Sequence, residues 1–387
     1  MRILYHFRTQ GTGAEGVHIA GIATALEGLG HEVVFSSPTG VDPRATAGAN
    51  PFGQRKRGLL ARLAAKAPGI VFECLELAYN AVAWLRNRRL LAQERCGLIY
   101  ERHAFFLCST ALLAQRRGVP LVVEVNELVG DERIRPEPWL APLARWADRV
   151  TFVRASLIVV VSPHLQRRIV AMGIAPEKIL VLPNAVGESA LDAPADSAAV
   201  RAGLGLGDAT VIGFVGWFVA WHRLDVLLAQ FAALTDPRIR LLLVGDGVLR
   251  GALVEQAAQL GIGERIVFAG SVPHSEIPSH IAAMDICVVP HSNEFRSPIK
   301  LFECMARARA VVAPVTEPIA MVLRDGENGL LFDPENPATL GTALARLIAD
   351  EPLRTLLGQQ AQADVRARHT WRHNAEAVLA GVRGRNE

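Results

Sequence analysis

At 387 residues, 50% of them hydrophobic and 20% charged, the chain is too long for one ordinary core and too apolar for disorder, so two domains are expected. A formal charge of only +3 and an aromatic content of 6% exclude a dedicated nucleic-acid binder, which needs a concentrated basic face and stacking platforms. Five scattered cysteines (Cys74, Cys96, Cys108, Cys287, Cys304) without a CxxC point to reduced thiols, not disulfides or zinc, and so to a cytoplasmic protein.

The chain opens on MRILYHF, a strand entered directly with no long apolar signal region. Its longest apolar runs, such as Leu157–Val161, are far too short to span a bilayer, so any membrane contact is expected to be peripheral. After the first strand comes a glycine-rich loop, TQGTGAEG at 9–16, then helical spacing from Val17 to Leu29 and a second strand at Val33–Ser36. This is the opening of a doubly wound sheet. The loop reads GxGxxG in letters, yet no acidic residue closes the second strand in the nucleotide-clamping position. A dinucleotide site, a close backbone approach to a ligand phosphate or sugar, and a plain tight connection are the three readings it permits.

Residues 40–70 are irregular and basic, with Arg55, Lys56, Arg57, Arg62 and Lys66 among leucines; a helix from about 58 to 67 would be amphipathic and cationic. Either it is an ordinary solvated surface helix or it touches an anionic membrane. Strands follow at Leu98–Tyr100, Leu121–Val125 and Ile158–Val161. His103, Asn126 and Glu127 fall just past strand ends, where open α/β sheets collect ligands. A last short strand at Leu180–Pro183 precedes a shift to Ala, Asp, Ser and Pro at 185–202, the best linker candidate.

The pattern then restarts, with strands near Val211–Val215, Ile239–Val244, Ile266–Ala269, Ile286–Val289 and Ala310–Ala313 separated by helices. Four loops at carboxyl strand ends carry distinctive residues. They are GWFVAWHRLD from Gly216 (with Trp217, His222 and Arg223), the turn Gly245–Gly247, GSVPH from Gly270 through Val272 to His274, and the segment around Arg296–Lys300. In that last segment Pro298 opens a helix, for a proline is suited to a helix start where its missing N–H is not needed. Arg296, Ser297, Ile299 and Lys300 therefore gather at a first turn that offers free backbone amides and the positive end of the helix dipole. Glu303 lies further along, placed to accept from hydroxyls. Together these groups suit a nucleoside diphosphate joined to a sugar, with His222 either a ligand or a structural group. No DxD-like pair stands ready for a divalent metal.

At these residues the chain resembles the GT-B glycosyltransferases of the large retaining group called family 4. The likeness runs through GTGAEGVHIAGIATALEGLGHEV at 11–33, VGWFVAWHRLDVLL at 215–228, LLLVGDG at 241–247, SPIKLFECMARARAVVAP at 297–314 and DGENGLLFDPENP at 325–337. It implies two Rossmann-like domains whose parallel sheets face an interdomain cleft. Residues 1–190 would bind the acceptor and 191–366 the nucleotide sugar, with 367–387 a helix packing back onto the first domain. By position, Glu303 matches the second glutamate of a Glu-x7-Glu motif and would hold the donor ribose. The first is replaced by Phe295, with Glu294 one residue off. Ser297, Pro298 and Ile299 match the segment that meets the diphosphate or sugar, Gly13 the glycine loop facing the donor, and Gly270–His274 the base-recognition segment. Trp217 and His222 stand where relatives carry Arg and Lys, which leaves Arg223 or Arg296 to supply charge. Asn126 replaces a frequent histidine, and His103 and Glu127 are expected to face the acceptor or the donor sugar.

The implied reaction is transfer of a sugar, with retention of configuration, from a nucleoside diphosphate sugar (UDP favoured, GDP open) to a glycan, lipid-linked or small-molecule hydroxyl. No tightly bound cofactor and no metal are expected, the chain being a monomer or homodimer at or near the inner face of the cytoplasmic membrane. The alternatives are an epimerase or sugar-phosphate synthase of the same fold, and a degenerate member that only binds.

Overall fold

The computed structural model describes residues 1–9, 11, 13–46, 69–132, 137–192 and 194–384. They fall into two compact units, one running to Leu182 and rejoined from Arg372 onward, the other Pro183–Trp371. The breaks expected at 190/191 and 366/367 thus stand against observed ones at 182/183 and 371/372.

In the first unit, strands β1 (Arg2–His6), β2 (Glu32–Ser36), β3 (Leu98–Arg102), β4 (Leu121–Val125), β5 (Leu157–Val160) and β6 (Ile179–Val181) form a parallel sheet in the order β2-β1-β3-β4-β5-β6. The second repeats the plan with β7 (Thr210–Val215), β8 (Ile239–Val244), β9 (Ile266–Gly270), β10 (Ile286–Val288), β11 (Ala310–Pro314) and β12 (Leu330–Phe332), ordered β12-β11-β10-β7-β8-β9. Helices cover both faces of such a sheet, so its strands read as unbroken apolar runs. LVVEV in β4 and AVVAP in β11 are buried at every position. Two cores flank the second sheet, one around Phe214, Phe218 and Phe231 and the other around Phe302, Met305 and Val311.

Strand order reverses between β1 and β3 in the first unit and between β7 and β10 in the second. Ligands of open α/β sheets bind outside the carboxyl ends at such switch points. The loops after β7 and β10 flank the second one.

The compositional linker at 185–202 is not a bare connection. It contains helices Glu188–Asp192 and Ser197–Gly203, the second capped by Asp196, whose carboxylate accepts from the Ala199 amide at 2.8 Å. Val186 pairs with Thr370, and Ala185, Val186 and Leu191 are buried. The alanines that lowered the local complexity also favour helix, and the few apolar side chains suffice to dock it. The final helix, Trp371–Arg383, belongs from Arg372 to the first unit, where Ala375, Val378, Leu379 and Val382 are buried and Gly381 faces Leu157. The basic stretch at 55–66 lies outside the described residues.

Candidate functional site

The second unit draws its four loops together through short backbone contacts. The Gly216 amide donates to Val244 O at 2.9 Å, the Phe218 amide to Asp246 O at 3.0 Å and the Gly245 amide to Gly270 O at 2.8 Å. His291, past β10, lies 2.9 Å through Nδ1 from Trp221 O, which ties the fourth loop to the first. Glycine is required at two of these joins. A Cβ on Gly245 (φ +137°) would fall 2.0 Å from Gly216 O, and one on Gly216 (φ +144°) would fall 2.5 Å from Lys300 Nζ. Both φ values are ones that side-chain-bearing residues rarely adopt.

Lys300 sits in the first turn of helix Ile299–Ala306, with Pro298 as its cap residue. Pro298 has no N–H to offer; the amides of Ile299 and Lys300 lie in the first turn, where no intrahelical acceptor is available. The Lys300 ammonium lies 4.1 Å from the centre of the Phe214 ring and 3.3 Å from His222 Nε2. His222 donates from Nδ1 to Trp217 O at 2.6 Å, which leaves Nε2 as the acceptor for Lys300. Burial, reinforced by the Lys300 charge, lowers the His222 pKa to about 3. The imidazole is therefore neutral near pH 7 and brings no positive charge of its own. Burial also lowers Lys300 to about 7, partly offset by Cys304 and Glu303. The result is a shielded amine at a helix start, poised between charged and neutral, which an arriving anion would fully protonate.

Glu303, three residues along the same helix, is 17% exposed and lies 3.8 Å from His274 Nε2. Burial raises its pKa, with His274 and Lys300 opposing. Ser297 is engaged by Asn184, whose amide donates to Ser297 Oγ at 2.9 Å and whose side chain donates to Ser297 O at 2.6 Å. That ties the strand-to-helix loop to the start of the unit.

Two expected cations are turned to other tasks. Arg223, itself in the left-handed region at φ +48°, pairs with exposed Asp225, and Arg296 lies over the Trp221 and Phe295 rings at 5.0 and 5.1 Å. Phe295 is buried, and Glu294 accepts from the Glu317 amide at 3.3 Å. Trp217 presents a surface that is 45% exposed, and Val272 packs at the edge of the core. Sequence reasoning passed over Phe214, Trp221 and His291, since nothing in a strand phenylalanine announces that an ammonium rests on it.

In the first unit, Gly13 starts helix Gly13–Gly28 with φ +65° after Gly11 at +67°, and a Cβ on Gly16 would lie 2.4 Å from Gly11 O. His103 donates through Nε2 to Asp148 at 2.8 Å, both side chains nearly fully buried. Asn126 donates to Glu124 Oε1 at 2.7 Å, whereas Glu127 is half-buried. Glu124 is the residue that sequence reasoning missed. On β4 it accepts from His18 and Tyr100, each at 2.8 Å, and from Arg102 at 2.5 Å. Burial alone would raise its pKa, but His18, Arg102 and these hydrogen bonds hold it well below the carboxylate range. An acid inside the run VVEV was the available signal, because a buried charge must be paired. Among the described residues no group of three or more His, Cys, Asp or Glu side chains is placed to hold a metal ion.

The family of glycosyl transferases group 1 matches residues 209–350, and the glycosyl transferase 4-like domain matches 13–185. The D-inositol 3-phosphate glycosyltransferase of Stackebrandtia nassauensis is 30% identical over 69% of this chain, which spans only 63% of that relative's length. The alpha-D-kanosaminyltransferase of Streptomyces kanamyceticus is 26% identical over 73% of the chain and 76% of its own. In structure, Anabaena HepE in complex with UDP superposes with a TM-score of 0.71 at 20% identity, covering 98% of this chain and 100% of that one.

Proposed function

We propose that the chain, whose two halves match the group 1 and 4-like glycosyltransferase families, is a GT-B glycosyltransferase that moves a sugar from a nucleoside diphosphate sugar to a hydroxyl acceptor with retention of configuration. UDP is the favoured nucleotide, in line with the UDP bound by HepE. The observation that carries the reading is the Lys300–His222 pair at the head of helix Ile299–Ala306, beside a glycine whose missing side chain makes room for it.

In this reading the second unit binds the donor and the first recognises the acceptor. Lys300, with the amides of Ile299 and Lys300, stabilises the charge that grows on the departing diphosphate. His222 holds the ammonium in place as a neutral acceptor. Glu303 takes the ribose hydroxyls, exchanging its contact with His274 for them. The bond from the anomeric carbon to the β-phosphate oxygen breaks with its electron pair going to the diphosphate. The acceptor oxygen bonds to the same face of that carbon and passes its proton to the departing phosphate oxygen. Protein groups supply the charge, so turnover persists in EDTA.

The test is incubation of the purified chain with UDP-glucose and GDP-mannose and a panel of hydroxyl acceptors, followed by proton NMR of the product. A new glycoside with the donor's anomeric configuration is expected. An inverted product removes the retaining assignment, and an isomerised nucleotide sugar marks an epimerase instead. Phe295 and Trp217, which stand where relatives carry charge, favour a binding-only rival; slow hydrolysis of the donor without acceptor rules that out.

A further inference from the structure

Three helices of the first unit, Gly69–Glu94, Ser109–Arg117 and Ala141–Arg154, lie side by side, the middle one packed against both others. Their outward surface is unusual for a water-facing one. On the first helix Val71, Leu75, Val82 and Leu85 are 45–65% exposed and fall on one stripe, spaced by four, seven and three residues. Leu143, Trp146 and Val153 form a like stripe on the third helix, continued backwards by Trp139, which is 78% exposed.

The segment leading into the third helix meets the start of the first. The Trp139 indole lies against Gly69, 3.3 Å from where a Cβ on that glycine would stand. The buried Glu73 carboxylate accepts from the Trp139 and Leu140 amides at 2.8 Å each. Trp139 is thus held outward by a buried anchor, so its exposure is built into the fold.

Charge decides what covers this face. The exposed charged side chains of the three helices are Arg88, Arg89, Arg116, Arg117, Arg145 and Arg149, all of one sign. The acids of the same helices are spent elsewhere: Glu73 on the amides, Glu76 on Arg8, Glu94 on Arg2 and Asp148 on His103. A second copy docked symmetrically would bring like charges together. Apolar stripes with exposed tryptophans and a basic rim instead match the interface of an anionic bilayer, where indoles settle at headgroup level and arginines meet phosphates. Among the described residues no helix is long and apolar enough to cross a membrane, so the contact would be peripheral.

We propose that this three-helix face seats the first unit on an anionic lipid bilayer. The inference is independent of the sugar chemistry. Flotation of the full chain with vesicles of phosphatidylcholine, alone or mixed with phosphatidylglycerol, tests it. Binding to the mixed vesicles only is expected, weakening as salt is added. Arg145→Gln with Arg149→Gln, and separately Arg88→Gln with Arg89→Gln, should each lower partition roughly 25-fold, about fivefold per arginine. Trp139→Ser with Trp146→Ser should abolish it, each variant keeping the wild-type thermal transition. Failure to float with anionic vesicles, equal binding to neutral ones, or unchanged partition of both arginine pairs overturns the proposal. So does a lipid-free dimer that the tryptophan pair dissociates.

Discussion

Lys300 is the residue on which the proposed chemistry turns, and its depressed pKa has consequences of definite sign. The folded, ligand-free protein holds it at about 7 against an ordinary 10.5. Its burial therefore costs stability at and below pH 7, and that cost fades as pH rises towards 10.5, where the unfolded chain also loses the proton. Lys300→Met should leave the ligand-free melting temperature at or above wild type while lowering kcat by roughly 10²–10³, the range for losing one stabilising group at a developing oxyanion. A melting temperature that falls along with activity would make Lys300 a structural residue instead. A bound diphosphate restores the charge, so UDP should bind with uptake of up to one proton at pH 8 and almost none at pH 6. Calorimetry in buffers of different ionisation heat reads this directly, and uptake that is flat with pH would remove Lys300 from the phosphate contact. The sequence announced a lysine at a helix start. It did not announce the Phe214 ring or the neutral His222 beside it, which come from β7 and the loop that follows it.

Among elements, helix Ile299–Ala306 holds the site together, and its position depends on a helix far along the chain. Gly358, in helix Glu351–Arg368, passes so close to the turn after it that a Cβ would lie 2.1 Å from Ala308 O. Backbone cannot retreat as a flexible side chain can. Gly358→Ala should therefore destabilise the second unit by about 1–3 kcal/mol, as overpacking generally does. A urea midpoint equal to wild type would refute this close packing. Elements such as β4 and β7 were legible because buried parallel strands are continuous apolar runs between turn signals. The linker at 185–202 misled because weak composition says little about docking, which needs only Val186 and Leu191 to reach a core.

For the molecule as a whole, the two units respond to different perturbations. Removing residues 372–387 withdraws Ala375, Val378, Leu379 and Val382 from the first unit, a loss of roughly 5 kcal/mol or more at about 1.5–3 kcal/mol per large apolar side chain. Hydrogen exchange should then rise across β5, which faces Gly381, while UDP still raises the melting temperature of the second unit. Loss of the UDP response together with the helix would show that the donor site needs the first unit's terminus.

The sequence by itself determined the class of fold, the duplicated β–α pattern and the helix start at 298–300, because periodicity, glycine and proline act over a few residues. The family likeness was readable there too, in the run SPIKLFECMARARAVVAP. Only the tertiary structure decided which cations are free to act and which acids are paired. It put Arg296 on Trp221 and Glu124 among His18, Tyr100 and Arg102. The reason is physical: a charge is set by what lies within a few ångströms, and those neighbours come from parts of the chain that sequence order keeps far apart.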